Sequence, residues 1–453
     1  MPSLSGIGAA AKRSTGNQPL FVASDCQPTP SVYARHLLDS LGLHSHTPRV
    51  DDDRDPSLLW AQSGAMWLSG HTGEPARACP APLAACAQGV WLALSALCPS
   101  SIDPHFDAYK LLGERAAIAG LTRQGHISAG GACTLLKTSD GMLALNLVRK
   151  DDFDLLPAWL EQELNDKDDL AVPVRTRTTA VLLERARLLG LAVALVIAPQ
   201  PSAGWYKSCT YAPVQSPRKT VPLVVDLSSL WAGPLCGQLL SQCGARVIKV
   251  ESNQRNDGAR AGPEAFYHLM NAGKESVSLD LKSPLGVAQL RSLIEQADIV
   301  IESARPRGLE QMGIVARDIL EAHPGKTWLS ITGYGRSDPM RDWIAYGDDA
   351  GVAAGLSWLM GGDKGDPVFC GDAIADPLTG LHGALLAQAG WQNGGGQLLE
   401  LTLHGVVAHC IAAGAIEPST AKITPSPPVA RIASVKAAAL GADTARILKE
   451  FVS

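Results

Sequence analysis

The sequence predicts an α/β chain, a doubly wound parallel sheet of Rossmann-like type joined to a smaller α+β domain, on three observations. Beyond residue 220, short apolar runs alternate with helix-length amphipathic segments, the signature of β-α-β units. Pro234 stands where the first turn of the first such helix accepts a proline. Upstream, two short apolar runs flank Ser139-Asp140-Gly141, a hairpin signal by turn chemistry.

Taken in order, residues 1–50 are mixed and rich in Pro, Ser and His, and read as a partly ordered lead-in with a helix over 32–43. Residues 51–200 form a second region. In it Leu58–Leu97 is rich in Ala and Leu at helical spacing, broken by a loop at Gly70-His71-Thr72-Gly73-Glu74-Pro75. Ser128-Ala129-Gly130-Gly131 reads as a flexible loop, Cys133–Lys137 and Met142–Val148 as paired strands, and Phe153–Leu164 and Thr178–Leu189 as helices. Residues 201–220, with Pro, Ser, Gly and Lys, read as a linker. The region 221–453 then supplies strands at Val221–Leu227, Arg246–Glu251, Ser276–Leu281, Ile299–Glu302 and Thr327–Thr332, with helices Gly233–Cys243, Leu285–Gln296, Arg317–Ala322 and about 378–391.

Composition narrows the function. With 46% hydrophobic and 18% charged residues, the bulk of the chain is too apolar for disorder. A net charge of -5 with scattered Lys and Arg offers no basic stripe, so nucleic acid is not an expected partner. The 10 cysteines show no CxxC and are expected as reduced thiols rather than a zinc site or a disulfide framework. The apolar runs are shorter than a membrane span requires, and no apolar core follows Lys12-Arg13, so the expectation is a cytoplasmic protein without a membrane partner.

An internal echo stands out. Gly64-Ala65-Met66-Trp67-Leu68-Ser69-Gly70, followed by Gly73-Glu74-Pro75, is similar to Gly355-Leu356-Ser357-Trp358-Leu359-Met360-Gly361, followed by Gly365-Asp366-Pro367. The match extends, with a small shift of register, into Pro80-Ala81-Pro82-Leu83 against Ala375-Asp376-Pro377-Leu378. One copy thus has Ala81 where the other has an aspartate. Chance similarity between two loops rich in Gly and Trp is the alternative.

Asp376 heads an apolar helix. It suits a helix N-cap, and it equally suits a carboxylate nucleophile whose acyl adduct finds backbone N–H donors nearby. A metal or acid/base pair with Asp372 lacks a third ligand at useful spacing, because Asp348-Asp349 and Asp363–Asp366 read as separate loops, and no metal is expected. GxGxxG is absent from the junction Asp226–Pro234, which disfavours a nicotinamide site. The helix N-terminus there still suits a phosphorylated ligand, with Lys249, Arg255, Arg260, Lys274 and Lys282 as nearby cations.

These residues carry a resemblance. Val225-Asp226-Leu227, Ala232-Gly233-Pro234, Gly244–Glu251, Asn271–Lys282, Ala297–Glu302, Leu309–Gly313, Ser330–Gly335 and Asp376–His382 are similar to motifs of the class III CoA-transferases, the carnitine dehydratase and bile-acid-inducible F (CaiB/BaiF) type. The resemblance covers Val221–Leu401. It implies that Asp376 takes the acyl group of an acyl-CoA as a mixed anhydride and then carries CoA as a thioester. It further implies CoA contacts at Ser229, Leu230, Trp231, Ala232, Glu251, Lys274, Ser303 and Met312, a lid at Gly130 and Gly131, a homodimer, and no permanently bound cofactor, coenzyme A being substrate. The N-terminal half resembles the same family in the wrong order. Trp60–Leu97 is like the passage around the aspartate, Ser128–Val148 like the glycine loop and small domain that follow it, and Pro427–Val452 like the family's tail, so the chain reads as permuted or partly duplicated. The expected activity is CoA transfer from an acyl-CoA to a small carboxylic acid. An acyl-CoA racemase or isomerase of the same fold is an alternative, disfavoured because Tyr346-Gly347-Asp348-Asp349 lacks the racemases' histidine. A non-catalytic CoA-binding or partner subunit is another. Ser303-Ala304 departs from the family's Asn-Phe.

Overall fold

The computed structural model describes residues 13–15, 28–98, 100–164, 170–215, 220–361, 365–416 and 423–452. Its strands are β1 (Arg13–Thr15), β2 (Cys133–Lys137), β3 (Met142–Asn146), β4 (Ala192–Leu195), β5 (Lys207–Thr210), β6 (Leu223–Asp226), β7 (Arg246–Ser252), β8 (Glu275–Leu279), β9 (Ile299–Glu302), β10 (Thr327–Thr332) and β11 (Gln397–Thr402). Eight of them form one sheet in the order β1-β5-β11-β10-β9-β6-β7-β8. From β11 to β8 all neighbours are parallel; β5 runs antiparallel to β11, and β1 to β5.

Counted from β6, the parallel strands lie in the order 3-2-1-4-5-6, that of a doubly wound nucleotide-binding sheet. The winding direction reverses between β6 and β9, and the carboxyl ends of those strands flank the crevice where such sheets take ligands. The strands are short and buried on both faces: all four residues of β6 and of β9 are buried, as helices cover each side.

The helix Ala232–Gln242 follows β6, and the helix Ala375–Gln392 packs along it. Their close crossing depends on Gly380, where a Cβ would lie 2.8 Å from the Ala232 carbonyl oxygen and 3.0 Å from Leu235 Cβ. The N-terminal region completes this layer. The helix Leu83–Leu97, with nearly every residue buried, packs on both Pro30–Ser40 and Ala375–Gln392. One hydrophobic core therefore runs from Tyr33 through Trp91 and Tyr109 to Leu235, Leu381 and Val407. The lead-in expected over 1–50 thus contributes a core helix.

A separate antiparallel sheet, β2-β3-β4, carries the hairpin at the expected place. One face packs on Trp159, Leu160 and Leu182; the other meets Val352 and Phe369. The helix expected over 153–164 is a 3-10 turn, Lys150–Leu155, and a single helical turn, Leu156–Leu160. The largest difference lies in the stretch 201–220. It contributes β5 to the main sheet and a 1%-exposed Trp205 to the core, so it is structural rather than a free connection. The nine described cysteines are unbridged. Among the described residues no helix is long and apolar enough to cross a membrane.

Candidate functional site

At the switch point between β6 and β9 lies a cleft of about 620 Å³, with Asp376 on its wall. Local backbone explains why that side chain points there. Ala373 is held at φ 42°, its N–H donating to Asp348 Oδ1 at 2.8 Å, and the chain then turns directly into the helix. Left-handed geometry at a non-glycine residue costs roughly 1–3 kcal/mol and persists only where the surroundings impose it. Leu230, which also lines the cleft, is likewise held at φ 70°, its N–H donating to Asp257 Oδ1. Gly347 lets the chain pass against the carboxylate: a Cβ there would sit 2.3 Å from Asp376 Oδ2.

Asp376 is not the N-cap. Ile374 holds that position and makes no side-chain cap bond, so the aspartate lies inside the first turn, where the helix dipole favours negative charge. Burial among protein atoms nevertheless raises its pKa to about 7; Arg115 opposes the rise, Asp348 and Asp372 add to it, and the Ala232 N–H lowers it. The Asp372 carboxylate, fully buried, takes a two-pronged bond from Arg115, through Nε at 2.9 Å and Nη2 at 2.5 Å. Asp348 is raised to about 6, first by burial and then by Asp372. Thus Asp348, expected in a separate loop, stands in the helix Gly347–Ala353 within the field of Asp372 and Asp376, and four carboxylates including Asp349 share one region with Arg115.

The sequence-predicted contacts divide. Ser229, Leu230, Ala232, Glu251, Ser303 and Met312 line the cleft with Asp376. Trp231 does not: it is 3% exposed, edge-on to Phe266 and beneath the Arg115 guanidinium. Nor does Lys274, whose ammonium is buried against Asp226 Oδ2 at 2.8 Å, the Pro234 carbonyl and Asn271 Oδ1. Lys249 is likewise buried, paired with Asp257 at 2.9 Å. Glu251 is bound by Arg260 and by the Asp257 N–H, which makes it a brace of the wall. Of the expected cations, Arg255 reaches the cleft. Gly130 lies against the Arg115–Asp372 pair, where a Cβ would be 3.1 Å from Arg115 Nη2; Gly131 has φ 80° and open space around it.

Sequence reasoning missed Arg115 and most of the cleft's cations: Arg149 from the small domain, with Arg305, Arg307 and Arg341 from the segments after β9 and β10. Arg149 is anchored by Asp152 and Arg341 by Glu310. Burial, and then the like charges of Arg307 and Arg149, depress the pKa of Arg305. Such crowding of cations is relieved by an anion. Arg305-Pro306-Arg307 directly follows the carboxyl end of β9, and the switch-point rule applied to the sequence would have found it.

Residues 223–438 match the model of CoA-transferase family III. The chain is 34% identical over 217 residues to a succinate–glutarate CoA-transferase of Agrobacterium fabrum, covering 43% of this chain and 54% of that one. It is 36% identical over 173 residues to the human succinyl-CoA:glutarate CoA-transferase, covering 36% and 40%. A solved CAIB/BAIF family protein from Brucella suis is similar at 27% identity and TM-score 0.35, over 43% of this chain and 55% of that one. The chain spans about half the length of the curated relatives it matches. By that match, residues 223–438 are similar to CoA-transferase family III.

Proposed function

We propose that this protein transfers CoA from an acyl-CoA to a carboxylic acid, with Asp376 as the nucleophile. The observation that carries the reading is a partly exposed carboxylate within a helix's first turn, in a switch-point cleft that also gathers five arginines. In this reading Arg149, Arg255, Arg305, Arg307 and Arg341 hold the phosphates of CoA, for which planar, always-charged guanidinium groups are suited. The thioester carbonyl comes to rest against Asp376.

The steps balance without a redox partner. An ionised Asp376 oxygen attacks the thioester carbon, the C–S bond breaks, and CoA leaves as thiolate, giving an aspartyl–acyl anhydride. The thiolate then attacks the Asp376 carbonyl, releasing the first carboxylate and forming an aspartyl-CoA thioester. The acceptor carboxylate attacks that thioester, the C–S bond breaks, and a second anhydride forms as CoA thiolate leaves; the thiolate then attacks the acceptor-side carbonyl of this anhydride, giving the new acyl-CoA and freeing the Asp376 carboxylate. Water would destroy each intermediate, and in this reading the Gly130-Gly131 loop, next to the Arg115–Asp372 pair, helps keep it out.

The test is to incubate the full chain with a panel of acyl-CoAs and small carboxylic acids and to follow both products and protein by mass. New acyl-CoA species, with a CoA adduct on the peptide containing Asp376, are expected. Hydrolysis alone, or adducts elsewhere, would overturn the reading. A second expectation concerns the cleft mouth. Arg305→Ala removes a charge-assisted contact worth about 1.5–3 kcal/mol, which raises the KM for acyl-CoA roughly 10- to 100-fold with kcat little changed. An unaltered KM would move the phosphates away from Arg305.

A further inference from the structure

The two echoed passages meet. His71 from the first and Asp366 from the second are joined at a partly exposed cluster completed by His126, remote in sequence by 295 and 240 residues from Asp366. His71 Nε2 lies 2.8 Å from Asp366 Oδ2, and His126 Nε2 lies 3.1 Å from Asp366 Oδ1. The imidazoles stand edge to face with centroids 5.3 Å apart, and the three ligand atoms fall within 4.8 Å of one another. From this geometry we infer a binding site for one divalent transition-metal ion, of the Zn²⁺ or Co²⁺ class, held by His71, His126 and Asp366.

Charge balance favours this over a simple ion pair. Arg77 already neutralises Asp366, donating to Oδ2 at 2.7 Å and to its carbonyl at 2.8 Å. Two further imidazoles exceed what one carboxylate needs, and a dication between neutral rings uses all three donors. Two nitrogens and one oxygen suit Zn²⁺ or Co²⁺ rather than Ca²⁺ or Mg²⁺, which take oxygen ligands. Arg77 then acts as the outer partner that orients the carboxylate.

The donors are also fixed in advance. Gly125 packs so closely on His71 that a Cβ there would lie 2.1 Å from Nδ1, which fixes the ring's tilt. Backbone bonds Gly125 N–H to Gly70 carbonyl, Phe369 N–H to Gly125 carbonyl and Leu135 N–H to His126 carbonyl tie the three segments together. Side-chain exposures of 27%, 39% and 35% leave coordination positions open to water. The ion would clamp the loop at 70–77 to the segment leading into Asp372 and Asp376, a structural role at the seam between the two halves.

The test uses the full chain, kept reduced, freed of metal with a chelator and titrated with Co²⁺. One equivalent should bind with visible d–d absorption of a nitrogen and oxygen site and without thiolate-to-cobalt charge transfer. It should also raise the melting temperature. His71→Ala and His126→Gln should each weaken binding by at least about tenfold. Should His71→Ala fail to fold, His126→Gln, at the more exposed ring, carries the same test. No binding up to millimolar Co²⁺, a thiolate charge-transfer band, or unchanged affinity in the folded histidine variants would overturn the site.

Discussion

Asp376→Asn is expected to abolish CoA transfer, by at least about 10⁴-fold in kcat/KM, while leaving the fold as stable as before or more so. The amide is nearly the same size but is no nucleophile toward a thioester. The stability half of the expectation comes from the environment. The carboxyl is held with its pKa raised to about 7, chiefly by burial; it caps no N–H of its own helix, and the Ala232 N–H that it accepts can be taken equally by an amide oxygen. An acid with a raised folded pKa imposes no cost below its unfolded value near 4; the cost grows as pH rises and is complete above about 7. There it amounts to at most roughly 4 kcal/mol, and the neutral amide removes it. Thermal unfolding of Asp376→Asn at pH about 8 should therefore match or exceed the wild type, the relation expected of a destabilised active-site group. The wild type's pH profile follows from the same shift. In the proposed mechanism transfer needs the ionised carboxylate, so the rate should fall tenfold per unit as pH drops below about 7. A variant that retains turnover, or a rate flat from about pH 5 to 8, would remove Asp376 from the chemistry.

The physics divides what could be read from the chain from what could not. The β-α-β region was legible because each buried parallel strand is a local apolar run and each helix a local periodicity, as β9 and β10 show at their expected limits. Strand order and the switch point are non-local and needed the structure. Strand β5, Lys-Ser-Cys-Thr, was read as linker because it pairs toward the sheet's edge with only Ser208 buried, so its composition carries no burial signal. The place of Asp376 at a helix start was legible in its motif, yet its cap role was misjudged by two residues, because Ala373's left-handed turn starts the helix early. Arg115 could not be found at all. Its partner Asp372 lies 257 residues away, and nothing local to an Ala-rich helix marks one arginine as the counter-charge of a distant aspartate.

Lys274 shows the opposite error, a motif lysine read as a phosphate ligand, and it leads to the second large effect. Lys274→Met is expected to cost about 3–5 kcal/mol of stability and to leave acyl-CoA affinity unchanged in the folded protein. The ammonium, fully buried, donates to Asp226 Oδ2, the Pro234 carbonyl and Asn271 Oδ1 beneath the first turn of the helix Ala232–Gln242. Asp226 Oδ1 in turn accepts from the Ser228 N–H and hydroxyl, which fixes the turn between β6 and that helix. Burial raises the Asp226 pKa, but Lys274 and then Lys249 outweigh it and hold the carboxyl below its usual value. Such a group stabilises the fold above its unfolded pKa, and the contribution is lost as pH falls through the folded one. Methionine in place of Lys274 leaves that carboxylate buried with Lys249 as its remaining cation, itself committed to Asp257. Adding Asp226→Asn should recover much of the loss, because the buried charge goes with its partner, and the coupling should appear as a non-additive double-mutant cycle in urea midpoints. A Lys274→Met protein of wild-type stability but weakened acyl-CoA binding would return the lysine to the cleft and contradict the buried pair.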